Sequence, residues 1–193
     1  IDPNRPSSVP TTSLISTAQK HLTDNVRSEQ ASLRSSALFV QQISQITYTS
    51  QSRYDIPFGY SADIWSGLYS VLNNLHEIIN LNTDPATARD ALSGGSNANQ
   101  IAYARIMKVY FFNTLTDRWG MIPYSESLKG TGNLRPSYDT QEAIYTDMIN
   151  ELKAAVAQID GGAGVRGDFI LNGNMARWRQ FANTLRMKLA LRI

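Results

Sequence analysis

The sequence predicts an all-α fold, a superhelix of paired helices joined by long irregular loops, and three observations carry that prediction. Apolar residues recur at three- to four-residue spacing through successive stretches of the chain. No stretch alternates for long enough to build a sheet. Helices expected to open near residues 61, 98, 140 and 174 start 37, 42 and 34 positions apart, close to the tetratricopeptide period of about 34 but without its usual residues. The fold class is therefore a degenerate tetratricopeptide-like superhelix.

Each element follows from local chemistry. The opening, IDPNRPSSVP, carries three prolines and excludes regular structure, since proline fixes φ and removes a donor. From Thr11 or Thr12 a helix is expected, with Leu14, Ala18, Leu22 and Val26 on one stripe. A second helix, rich in Ser and Gln, is expected over residues 29–47 through Leu33, Ala37, Val40 and Ile43 or Ser44. The stretch TYTSQSRYDIPFGY at 47–60 then reads as an aromatic loop. Its Tyr48, Tyr54, Phe58 and Tyr60 either pin the loop to the core or offer faces to a sugar ring.

Ser61 or Asp63 opens the next helix, which carries Trp65, Leu68, Tyr69, Leu72, Leu75 and Ile79. Asp84 followed by Pro85 is a cap with a first-turn proline, opening the short helix ATARDAL. After the polar loop SGGSNANQ comes the longest apolar and aromatic run, IAYARIMKVYFFNTLTDRWGMIPY at 101–124. Ile101, Ala104, Met107 or Lys108, Phe111 and Leu115 form one stripe; Ile106, Val109 or Tyr110, and Phe112 or Asn113 form another. Two stripes predict burial on more than one side. Arg105, Lys108, Asn113, Asp117 and Arg118 interrupt the run well short of the roughly 18 apolar residues of a membrane span. Asn97 or Asn99 is expected to cap this helix, which should end near Thr116 before a turn shaped by Gly120 and Pro123.

The following SESLKGTGNLRPSYD should cross the surface. Asp139 or Thr140 starts another helix, with Asp139 and Glu142 at capping-box spacing and Ile144, Met148, Leu152, Ala155 and Ile159 as its stripe. Gly161 and Gly162 stop it, and the GGAGVRG loop lacks the phosphate-binding pattern GxxxxGK[ST]. Asp168 to Leu171 is expected to be extended, and Asn174 to cap a last helix bearing Trp178, Phe181, Ala182, Leu185 and Leu189. The final MKLALRI is still periodic and has no cap, and the start lacks Met and a signal sequence. Residues 1–193 therefore read as a fragment of something longer, with a mature or trimmed start and a carboxyl end that stops short.

Composition removes several chemistries. A net charge of +2 is too small to argue for nucleic acid, and the basic residues of the last helix scatter around it instead of forming a stripe. From Ala163 onward the charge is +5, against −3 for the remainder, so the tail should meet an acidic partner or an acidic surface of further chain. The absence of Cys excludes disulfides, thiolate zinc and Cys nucleophiles, while leaving export open. His21 and His76 are isolated and HExxH is absent, so no transition-metal site is expected; calcium, whose oxygen ligands can be scattered, stays open. The pairs Asp55 with Asp63 and Asp117 with Glu126 read as turn and cap residues, and Asp117 beside Arg118 as a local ion pair or clamp for the turn. GxSxG is missing. No catalytic residue is assigned, and a non-enzymatic protein without cofactor is expected.

Five pieces carry a further likeness: IDPNRP at 1–6, the Trp65 and Tyr69 helix, ARIMKVYFFNTLTDRWGMIPYSES at 104–127, RPSYDTQEAIYTDMINELKAA at 135–155, and GDFILNGNMARWRQFANTLRMKLALR at 167–192. In order and spacing they resemble the SusD-like, or RagB-like, nutrient-binding outer-membrane lipoproteins of the Bacteroidetes. The resemblance implies a tetratricopeptide-like scaffold, a lipid anchor upstream of residue 1, and a place on the cell surface as the lid of a SusC-like TonB-dependent transporter. It implies capture of a glycan or another nutrient without hydrolysis. Within it, Asp117, Arg118, Trp119, Gly120, Pro123 and Tyr124 form a structural signature: Asp117 and Arg118 closing the helix, Trp119 and Tyr124 packing the turn, Gly120 and Pro123 shaping it. The starch-binding archetype draws aromatic residues from the region before the central helix, where NTDPATARDALSGGSNANQ has none, which puts starch specificity in doubt. The loop residues Arg53, Tyr54, Asp55, Phe58 and Tyr60 are the candidate ligand contacts.

Overall fold

Burial of the 101–119 run dictates the architecture. The structure, a computed structural model, describes residues 9–26, 28, 33–56 and 58–193. Six α-helices form among these residues: α1 (Thr11–His21), α2 (Ala62–Thr83), α3 (Ala88–Ala91), α4 (Asn97–Trp119), α5 (Gln141–Gln158) and α6 (Met175–Ala190). Helix α4 lies at the centre, packed between α2 and α5, with α1 against α2 and α6 against α5 and α4. Cross-contacts set the directions. Trp65 meets Trp119, Tyr69 meets Phe112, and Asn82 bonds Asn97, so α2 and α4 are antiparallel. Arg105 pairs with Glu151 and Asn113 bonds Tyr145, so α5 opposes α4 as well. Tyr103 on Trp178 and Lys188 on Asn113 show α6 running with α4.

Both predicted stripes of α4 are buried apart from Ile101, which is half-buried. Tyr103, Ile106, Met107, Phe111 and Leu115 are all enclosed, and Val109 and Phe112 nearly so. Ser96, not Asn97 or Asn99, caps it: the Ser96 hydroxyl accepts from the Asn99 amide at 3.2 Å. Asn99 is fully buried and donates instead to the carbonyls of Gly162 and Ala163, while its own Oδ1 accepts from the Asp160 amide. The helix runs three residues past Thr116, to Trp119.

The start of the chain departs most from expectation. The Pro-rich opening lies outside the described residues up to position 8. In α1 the buried positions are Thr11, Ile15, Ala18 and Gln19, with Leu14 at the edge, and the chain continues as a wider π-helical segment, Leu22–Val26, whose Leu22 and Val26 pack at the edge of the core. The helix expected over 29–47 is a short one: 29–32 lie outside the described residues, Leu33–Ala37 is π-helical, and turns begin at Val40. Leu38 is buried, whereas Leu33, Val40 and Ile43 are exposed. Among the described residues, apolar spacing alone does not bury this stripe: Ala37 is half-buried and the other three are exposed.

After α4 the chain makes a two-residue antiparallel ladder, β1 (Ile122–Pro123) with β2 (Tyr138–Asp139). Thr140, rather than Asp139, caps α5, accepting from the Ala143 amide at 3.3 Å. Residues 168–171 bend around Asp168 instead of extending. The Asp168 carboxylate, 5% exposed, accepts from Gln19 Nε2 at 2.6 Å, the Ile170, Leu171 and Gly173 amides, and Trp178 Nε1 at 2.7 Å. It ties α1, the loop and α6 together. The glycines before it serve close approach: a Cβ on Gly164 would sit 2.1 Å from the Gly173 carbonyl oxygen. Among the described residues no helix is long and apolar enough to cross a membrane.

Candidate functional site

The exit of α4 is held from several sides. Gly120 has φ +72° and ψ −108°, a backbone shape that a side chain disfavours, although a Cβ would meet nothing within 4 Å. Thr116 Oγ1 donates to the Gly120 carbonyl, Gln141 Nε2 to the Thr116 carbonyl, and the Tyr69 hydroxyl to the Pro123 carbonyl, each at 2.7 Å. Asp139 takes the Tyr124 and Ser125 amides and the Ser125 hydroxyl. Partial burial works to raise its pKa, but these bonds outweigh it and hold the carboxyl below its usual range. Asp117 does not form the local ion pair expected with Arg118. It reaches Arg192, just past the end of α6, at 2.5 Å, and also accepts from the Tyr145 hydroxyl of α5 and from Asn113 Nδ2 in its own helix.

Among the concave surfaces beside this exit are a groove and a pocket. The first is a shallow groove of about 450 Å³ whose walls include Ile56, Tyr60, Trp65 and Trp119. Trp65 and Trp119 are half-buried and stand edge to face, with centroids 5.1 Å apart and planes at 85°. Their indoles are thus fixed by the core while part of each ring stays accessible. Trp119, expected only to pack the turn, also lines this groove.

Of the candidate ligand contacts, Tyr60 alone reaches the groove wall; its hydroxyl donates to the Arg34 carbonyl at 2.6 Å. Tyr54 sits in the left-handed region at φ +60°, stacks on Phe39 and donates to the Phe39 carbonyl at 2.8 Å, so it anchors the loop to the 33–41 segment. Phe58 is fully exposed at 109% of its reference area, and Tyr48 at 88%. The loop is therefore not pinned to the core by these two rings. Arg53 and Asp55 lie on the exposed loop, outside the groove lining, and Pro57 lies outside the described residues. Trp65 was read from the sequence as a core position; only its spacing from Trp119 across two antiparallel helices, invisible in one dimension, reveals the pair.

The second surface is a pocket of about 330 Å³ on the other side of the exit, between α2, α4, α5 and the loop after Tyr124. His76, Lys108, Phe112, Tyr124, Asp147 and Glu151 belong to its wall. Tyr124 donates to Asp147 at 2.6 Å; burial, then that bond, push its phenol far above the usual range, so it stays a donor. Burial and then neighbouring Lys108 push His76 down, leaving it neutral near pH 7. Among the described residues there is no group of three or more His, Cys, Asp or Glu placed to hold a metal ion.

Antiparallel helix pairs around one buried helix, with an aromatic groove at its exit, define a helical scaffold with a surface fit for ligand contact. The family model described as "Starch-binding associating with outer membrane" matches residues 3–193, and the chain belongs to this SusD-like, or RagB-like, family. Solved structures agree. A chitin-binding protein superposes with a TM-score of 0.76 at 29% identity, over 94% of this chain and 39% of that one. A Bacteroidetes SusD-like protein, AC2a, gives 0.73 at 28% identity, over 95% and 33%. A chitin-binding SusD homolog from Flavobacterium johnsoniae gives 0.72 at 25% identity, over 93% and 39%. The chain thus spans about two fifths or less of the length of these relatives. No curated protein sequence is significantly similar to it.

Proposed function

We propose that the protein is a non-enzymatic, lipid-anchored binding protein of the outer-membrane surface that captures an oligosaccharide and delivers it to a SusC-like TonB-dependent transporter. In this reading residues 1–193 are the amino-terminal, tetratricopeptide-like helical part of one larger SusD-like domain. Family membership supports the nutrient-uptake role and the transporter partner. The observation that carries glycan binding is the groove of Tyr60, Trp65 and Trp119: partly apolar aromatic faces suit the C–H face of a pyranose, and the edge-to-face packing of Trp65 on Trp119 spares the cost of ordering those two rings on binding. Binding of this kind is reversible, as hand-over to a transporter requires. Chitin oligosaccharides are the first ligands to try, since two relatives carry that specificity.

The test is calorimetry on the whole protein with chitin and starch oligosaccharides. Trp65→Ala and Tyr60→Ala should each weaken binding about tenfold or more, in keeping with aromatic hot spots. Tyr54→Ala should leave affinity nearly unchanged. Binding that ignores Trp65→Ala removes the groove from the site; hydrolysis of the ligand would overturn the non-enzymatic reading. A helical scaffold whose role is protein contact alone is the second reading, favoured by the exposed Ile46, Tyr48 and Phe58. Absence of glycan binding, with transporter association lost in Phe58→Ala, would select it.

A further inference from the structure

The pocket beyond Tyr124 has chemistry that the aromatic groove lacks. Glu151 is already matched: Arg105 grips both its oxygens, Nε to Oε1 at 2.6 Å and Nη2 to Oε2 at 2.8 Å, and that grip, against partial burial, holds its carboxyl below the usual range. Lys108 has no such partner. Its ammonium makes no hydrogen bond or ion pair among the described residues, although the side chain is half-buried against Phe112 and Val109. Burial is the main effect pushing the Lys108 pKa down; the charge of nearby Glu151 opposes it in part, and Arg105 adds to it. A second ammonium, Lys129, stands exposed at the mouth. The single uncompensated acid is Asp147, whose Oδ2 accepts from Tyr124 while Oδ1 has no partner among the described residues.

The wall therefore offers two cations against one free carboxylate, a hydroxyl acceptor at Asp147 Oδ1, and an apolar side at Val109, Phe112 and Leu128. An anion alone would use only the first of these. A volume of about 330 Å³ is at the lower end for ligand pockets, roughly 300–1,000 Å³, and suits one ring instead of a chain. We propose that this pocket is a second ligand site, which takes the carboxylate-bearing ring of an acidic monosaccharide such as a hexuronate. Lys108 and Lys129 meet the carboxylate, Asp147 accepts a ring hydroxyl, and Phe112 and Leu128 cover an apolar ring face. The pairing relieves the cost of holding Lys108 charged and partly desolvated, because an opposite charge close by favours the charged form.

The site and the groove share no lining residue. The experiment is calorimetric titration of the whole protein with glucuronate, with glucose and inorganic sulfate as controls. Glucuronate should bind saturably and at least tenfold more tightly than either control. Lys108→Met, which keeps the stem and removes the charge, should weaken glucuronate about tenfold or more without shifting the thermal midpoint. Lys129→Ala, at an exposed position where folding is not at stake, should weaken it about threefold. Trp65→Ala should leave it unchanged, which separates this site from the proposed glycan groove. Failure of glucuronate to saturate, equal binding of glucose, or full affinity in both lysine variants would overturn the proposal; equal binding of sulfate would reduce the pocket to a bare anion site and overturn its sugar specificity.

Discussion

Asp168 shows how much of the fold one side chain can hold. It is buried yet ionised, because five donors from α1, its own loop and α6 converge on its two oxygens. Burial works to raise its pKa, but the Trp178, Gly173, Leu171 and Gln19 bonds win, and the carboxyl is held below its usual range. A depressed folded pKa gives stability that is fully present above the unfolded value of about 3.9 and is lost as pH falls through the folded value. Asp168→Asn should accordingly cost on the order of 3 kcal/mol at pH 7, the scale of bonds to a charged group, since its amide NH₂ would face donors. Urea midpoints at pH 7 and pH 3 check this: the gap between wild type and variant should narrow at the acid end. A gap that stays constant would mean that the charge contributes nothing. The sequence marks Asp168 only as the lone acid of a basic tail, because its donors lie in α1 and in backbone amides that no spacing rule connects.

At the scale of elements, long helices with their own stripes were legible and their ends were not. Of the predicted α5 stripe, Ile144, Met148, Leu152 and Ala155 are buried and Ile159, at the helix end, is half-buried; α4 is buried on both predicted faces except at Ile101. Such helices meet a neighbour along their full length, so periodicity and burial coincide. Within the described part of 29–47 the expected stripe is not buried: Leu33, Val40 and Ile43 are exposed. Asp139 illustrates the ends. Its spacing to Glu142 fits a capping box, but Thr140, one residue on, makes the cap, and Asp139 turns back to hold Tyr124 and Ser125. The two roles separate by mutation. Thr140→Ala should cost about 1 kcal/mol, the usual loss of a cap, and leave the α4 exit intact. Asp139→Ala should raise hydrogen exchange at the Tyr124 and Ser125 amides while α5 stays protected. Equal effects of both variants on those amides would return Asp139 to a capping role. The candidate site was half legible on the same grounds: Tyr60 stood out by composition, whereas Trp65 and Trp119 become neighbours only through the antiparallel packing of α2 on α4.

For the molecule as a whole, the order of layers predicts an order of stability. Helix α4 touches α2, α5 and α6, and its buried face includes Tyr103, Ile106, Phe111 and Leu115. Among the described residues of 33–60 only Leu38 is a buried apolar residue; Ile46, Tyr48 and Phe58 project into solvent, and Gln41, Tyr48 and Tyr54 hold positive φ, a conformation that disfavours a side chain. Local opening draws on regions with few buried apolar contacts, whereas a central helix opens only with the whole fold. Native-state hydrogen exchange should therefore find the amides of residues 102–115 exchanging only through global unfolding and those of the described residues in 33–60 exchanging orders of magnitude faster. The groove joins these two regimes, because Trp65 and Trp119 belong to the rigid layer and Tyr60 to the loose one. An oligosaccharide bound there should slow exchange around residues 58–66 and leave 102–115 unchanged, as ordering of the loop is the only motion left to remove. Fast exchange in α4 would refute the layered stability, and protection confined to residues distant from Tyr60 would place the ligand elsewhere.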